Sequence, residues 1–134
     1  MEMINYFVES YRFPVLGKLT REHIFYQMGI YPILFVCKDE NQNRYLCSCC
    51  RLGKEWIISR VSENVLIALI EDKITIREIF EDCDALGLMV KWDGERFFCV
   101  QEIPDDALPE KGALLELDSG ETDKYRKKLM QMFG

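Results

Sequence analysis

The sequence predicts an α+β domain: an antiparallel sheet of about five or six strands, packed against two short helices within residues 62–83 and a C-terminal amphipathic helix. Three observations carry this expectation. The stretch Trp56–Cys83 (WIISRVSENVLIALIEDKITIREIFEDC) passes from an apolar strand into two helices that each carry a start signal. Two pairs of apolar, aromatic-rich runs flank turn-forming residues, as the arms of hairpins do. Near the end, Tyr125, Leu129, Met132 and Phe133 recur at helical spacing.

Taken in order, residues 1–14 mix aromatic and polar side chains up to Pro14, and their spacing suits a short helix or an ordered arm. Residues 20–28 admit two readings. Thr20 could cap a helix, or Glu22, Ile24, Tyr26 and Met28 could alternate with His23, Phe25 and Gln27 along a strand. The strand is favoured because Gly29-Ile30-Tyr31-Pro32 then forms a turn into the next one. Ile33–Lys38 and Arg44–Leu52 form a hairpin around residues 39–43. A turn at Asn41-Gln42 would set Val36 opposite Cys47 and Cys37 opposite Leu46. Both faces of that hairpin are largely apolar, so it belongs in the middle of the sheet.

After strand 56–60, Ser62 can cap one helix, with Val61 and Leu66 placed to close a staple. Thr75 and Glu78 form a capping box for the next, with Ile74 and Ile79 as its staple. The first of these helices is apolar most of the way round, which implies burial between layers or a homodimer face. Residues 86–92 and 96–102 flank Asp93-Gly94-Glu95, a second hairpin signal. Prolines at 104 and 109 keep residues 103–121 from long regular structure; 113–117 suits a final edge strand, and 122–133 the last helix.

The chain has 134 residues, 49% apolar and 30% charged, which fits one globular domain over residues 1–134. No apolar run approaches the ~20 residues of a membrane span, and the opening residues lack a basic, signal-like start; a cytoplasmic protein is expected. A net charge of −6 argues against direct nucleic-acid binding, because such binding depends on neutralising phosphates. Six cysteines in such a chain read as reduced thiols packed as small apolar groups. The cluster Cys47-Ser48-Cys49-Cys50 has the wrong spacing for structural zinc, and His23 is the only histidine, so no metal and no cofactor are expected. On a strand, Cys47 and Cys49 share one face and Cys50 takes the other. No nucleophile-elbow, phosphate-loop or metalloprotease pattern is present, so no catalytic residue is assigned.

From Glu102 to Asp123 there are eight carboxylates and one lysine. The plain reading of this run is a solvated, mobile loop. The sharper one is an acidic face, with Asp105, Asp106, Glu110, Glu116 and Asp118 as partner-binding residues for a protein with a basic surface. Tyr31-Pro32-Ile33-Leu34-Phe35, Arg44-Tyr45-Leu46, Trp56-Ile57-Ile58, Leu66 to Leu69, Lys73-Ile74 and Arg77-Glu78-Ile79-Phe80 resemble a family of small bacterial domains of unknown function. The resemblance spans roughly residues 15–83; it implies core and capping positions and brings no activity. The expectation is therefore a non-enzymatic interaction protein, such as an accessory, immunity or inhibitor protein of a bacterial or phage conflict system. A small ligand-binding domain or enzyme, with a cleft between sheet and helices, is the other class.

Overall fold

A computed structural model describes residues 10–13, 17–29, 31–51, 54–81, 87–92, 97–100, 103–116 and 120–131. Among the described residues, seven strands form one antiparallel sheet in strict chain order. They are β1 (Ser10–Phe13), β2 (Gly17–Met28), β3 (Tyr31–Lys38), β4 (Arg44–Arg51), β5 (Glu55–Val61), β6 (Gly87–Trp92) and β7 (Phe97–Val100). Three helices accompany them among the described residues: α1 (Glu63–Ile70), α2 (Ile76–Glu81) and α3 (Gly120–Gln131). The α+β antiparallel class is thus the one the sequence predicts. Ser10–Phe13, in the stretch expected to form a helix or arm, pairs with β2 as a strand. Among residues 20–28 the strand reading holds, with bulges between Arg21 and His23, Ile24 and Tyr26, and Tyr26 and Gln27. Each bulge breaks the simple alternation and lets neighbouring side chains turn to the same side.

The β3–β4 hairpin sits one residue away from the expected register. Val36 opposes Leu46 and Cys37 opposes Tyr45, so the loop is the five residues 39–43. Asp39 accounts for the difference. Its carboxylate accepts from the backbone N–H of Asn41 and of Asn43, both at 2.9 Å, and from the Asn43 amide and the Tyr45 hydroxyl. Gln42 takes the left-handed conformation, φ 69°, that closes this wider loop.

Both start signals in the helical stretch form as the residues predict. The Ser62 hydroxyl accepts from the Val65 N–H at 3.2 Å. At Thr75 the box is reciprocal: the Glu78 N–H reaches the hydroxyl at 3.2 Å, and the Thr75 N–H reaches the Glu78 carboxylate at 2.9 Å. Of the staple residues, Val61, Leu66 and Ile79 are buried, and Ile74 is half-buried against the same cluster. Leu66 and Leu69 of α1 are fully buried, while Val65, Ile67 and Ile70 are half-buried against the same cluster.

The sheet carries a core on each face. On the helix side, Phe25, Leu34, Val36, Leu46, Ile57 and Met89 meet α1, α2 and the buried Tyr125 and Leu129 of α3. On the other, Leu19, Phe35, Cys37, Tyr45, Cys47, Trp56, Ile58 and Val90 form a second buried cluster. This is why β3, β4 and β5 read as apolar on both sides. Cys47 and Cys49 lie with the second cluster and Cys50 with the first, the partition expected of a strand.

Segment 103–116 is not a strand. It holds a 3-10 turn at Asp105–Ala107, no described strand pairs with it, and Glu116, at φ 50°, leaves the extended region. The expected edge strand at 113–117 is therefore absent over its described part, and residue 117 lies outside the described residues.

Candidate functional site

Among the described residues, the densest set of polar contacts lies where β2, β3, β4, α1 and α3 converge. Arg44, at the start of β4, is 3% exposed. Its Nε and Nη2 donate to the two oxygens of Glu22 at 2.7 and 3.0 Å, and its Nη1 donates to Glu63 at 2.7 Å. Glu22 also accepts from the Tyr125 hydroxyl at 2.5 Å and stands 3.2 Å from Lys38. A carboxylate so deeply placed is stable only if its lone pairs are filled, and here four donors fill them. Burial alone would raise the Glu22 pKa, but the hydrogen bonds of Arg44 and Tyr125 and the Arg44 charge outweigh it and bring it from 4.5 to about 2. Burial and the neighbouring carboxylate push the Tyr125 phenol far up, so it stays a donor.

His23 completes the cluster. Its ring lies 4.4 Å from that of Tyr125 and nearly parallel to it, and edge-on to Phe25 at 5.1 Å. Its Nε2 is 3.0 Å from the Thr122 hydroxyl. Burial lowers the His23 pKa against the opposing pull of Glu22 and Glu121, which favours the neutral ring. A histidine beside a hydroxyl has the parts of a base and nucleophile, but Thr122 is 3% exposed and both groups are held within the interface. What the arrangement does chemically is clamp α3 to the sheet.

The acidic segment gives a different picture. Arg77 of α2 donates to Asp105 at 2.6 Å, to the Pro109 carbonyl at 3.0 Å and to Glu81 at 3.1 Å. The Ile76 N–H donates to the Ala113 carbonyl, and the Cys50 thiol lies 3.6 Å from the Ala107 carbonyl. Ile103, Ala107 and Leu108 pack on the core, and Leu115 is fully buried. The backbone is thus anchored, while Asp105, Asp106, Glu110 and Glu116 point their carboxylates outward. Asp105 keeps 89% of its side chain exposed even while paired. Glu116 stands apart from the other three: its N–H donates to Asp72, and these two carboxylates flank Tyr26, whose hydroxyl donates to the Leu115 carbonyl. Asp118 lies outside the described residues.

Among the described residues, the cysteines take no part in either cluster of charges as ligands. Cys37 and Cys47 are fully buried, and burial holds the Cys47 thiol well up. Burial, with Glu55 and Asp106 nearby, pushes the Cys50 thiol up to about 11. Among the described residues no three His, Cys, Asp or Glu side chains stand together as a metal site. A cavity of about 300 Å³ opens at the sheet end beside Lys18, Thr20, Lys38, Asp39, Glu40 and Gln42. Its charges are mixed, and Asp39 and Lys38 are already committed to the loop and to Glu22. No described helix is long and apolar enough to cross a membrane.

Comparison with known proteins finds no matching family model, no similar curated protein and no similar solved structure. The residues themselves therefore carry the functional argument. Sequence reasoning passed over Glu22, Arg44 and Tyr125. Tyr125 was legible only as part of an apolar stripe, and the contacts that redefine it come from residues 103 positions away.

Proposed function

We propose that this chain is a non-enzymatic, cytoplasmic protein-interaction module that meets the basic surface of a protein partner through Asp105, Asp106 and Glu110. The observation that supports this most is the Arg77 anchor. It fixes the backbone of 105–109 while leaving the three carboxylates in solvent, so little conformational entropy is lost when a partner engages them. Such a patch raises association rate and selects for complementary charge more than it adds raw affinity. By contrast, the buried groups with acid–base capability, Glu22, His23 and Tyr125, are engaged by one another and by Arg44 and Thr122. Between sheet and helices, where a ligand cleft was the other expectation, a buried apolar cluster packs beside this polar junction. Small size, net acidity and a preorganised acidic edge suit an accessory, immunity or inhibitor protein of a bacterial or phage conflict system.

The test uses the double reversal Asp106→Lys/Glu110→Lys, which leaves the Arg77–Asp105 pair intact. Tagged wild-type protein, expressed in its native cell and cross-linked, is expected to capture a partner in a salt-sensitive manner. The variant should lose that capture while keeping its melting temperature. Equal capture by both proteins, or no capture by wild type, would refute the proposal.

A further inference from the structure

We propose that α3 is a detachable strap, which leaves α1 and β2 as one unit while the sheet, α1 and α2 remain folded. The argument starts from what its departure leaves behind. Arg44 gives up its contact with Tyr125 but keeps two to Glu22 and one to Glu63, and Glu22 keeps Arg44 and Lys38. No charge of the body is therefore stranded when Tyr125 withdraws its hydroxyl, and the opening escapes the usual penalty for breaking a buried ionic network. The strap is equally self-contained. Three of its ion pairs run within the helix: Glu121–Lys124, Asp123–Arg126 and Asp123–Lys127. Only Thr122, Tyr125 and Leu129 of its twelve residues are buried.

Among the described residues, the strap is held by its packing on α1 and by a series of polar and ring contacts along one side. Thr122 meets His23, Tyr125 meets Glu22 and stacks on His23, and Arg126 meets Glu71 of the turn after α1 at 3.2 Å. Leu129 adds a single fully buried aliphatic side chain. The body, in contrast, is joined by strand pairing through seven strands and by the aliphatic contacts of Leu66, Leu69, Ile76 and Ile79. Segments with few buried apolar contacts open at lower free energy than the core they cover. Opening uncovers the ring face of His23, now stacked on Tyr125, and removes the edge contact between Tyr125 and Phe25. A free helix of this length is marginal in water, so its amides exchange once it leaves.

Native-state hydrogen exchange at pH 7, resolved by residue, tests the strap on the whole chain. Amides of Tyr125–Gln131 should exchange at least ~100-fold faster, relative to their intrinsic rates, than those of Leu46–Cys47 and Ile57–Ile58, as expected for a sub-global opening. Tyr125→Phe removes only the hydroxyl. It should speed exchange in α3 by roughly tenfold or more, the equivalent of one charge-assisted hydrogen bond, and leave β4 and β5 unchanged. Arg126→Gln, on the surface, should act in the same direction to a smaller extent. Equal protection in α3 and the sheet, or a Tyr125→Phe effect that spreads equally through β4 and β5, would overturn the proposal.

Discussion

Replacing Arg44 by Met is the sharpest test of the polar junction. Methionine keeps much of the arginine's length and none of its donors. Glu22 would then face a side-chain environment that is 5% exposed with only Tyr125 and Lys38 as partners, and Glu63 would lose its contact altogether. The lowering of the Glu22 pKa from 4.5 to about 2 corresponds to about 3 kcal/mol of stability at neutral pH, and Arg44 supplies most of the attraction. Breaking one partner out of a buried pair typically costs about 3–5 kcal/mol, because the remaining charge is left uncompensated. Both routes converge on roughly 3–4 kcal/mol for Arg44→Met. Urea unfolding at pH 7, followed by circular dichroism, measures it as a fall in midpoint at unchanged slope. The double variant Glu22→Leu/Arg44→Met should lose less than the two single variants together, since the charges left without a partner, Lys38 and Glu63, reach solvent. A loss below about 1 kcal/mol for Arg44→Met would refute the view of this pair as a buried, satisfied unit.

Acid should reveal the same carboxylate. The folded pKa of Glu22 is depressed, so its contribution is whole above 4.5 and is lost as pH falls towards about 2; Glu22→Gln should flatten the stability profile there. His23 acts in a higher window. Its folded pKa is lowered by burial, so the unfolded chain takes up the proton first and stability falls as pH drops through about 6.5; His23→Gln should remove that slope between pH 7.5 and 5.5. Ser62→Ala should cost about 1 kcal/mol through the lost cap on Val65, read by thermal melting. Leu69→Ala, fully buried between α1 and the sheet, should cost about 2–5 kcal/mol in the same assay.

Legibility in this sequence tracks the range of the interaction. Ser62 and Thr75 announce their caps because donor and acceptor lie three residues apart, and both caps form. The apolar faces of β3 and β4 were readable for the same reason: period-two patterning is local. The hairpin register was missed by one residue because Asp39, read as one polar loop residue among several, folds the whole loop around its carboxylate. The exposure of Asp105, Asp106 and Glu110 was legible from charge, whereas their anchoring was not. Arg77 sits 28 residues before Asp105, and nothing in the spacing marks it as the loop's fastening. The junction of Glu22, Arg44 and Tyr125 was invisible for a stronger reason. Each residue has an ordinary local role, as a strand carboxylate, a strand-start cation and an amphipathic-helix aromatic, and only the folded chain turns these roles into one network.

The strict order of the strands has a kinetic consequence. Each strand pairs with its predecessor, so the sheet can grow by successive local steps, with the passage through α1 and α2 before β6 as its longest internal detour. Little loop-closure entropy is spent at any one step, which is the condition for fast assembly. Tyr125 and Thr122 are different, since their partners in β2 lie 103 and 99 residues back along the chain. During synthesis, Glu22 and Arg44 can find one another long before α3 has emerged. The last helix then docks on a finished surface instead of helping to build it.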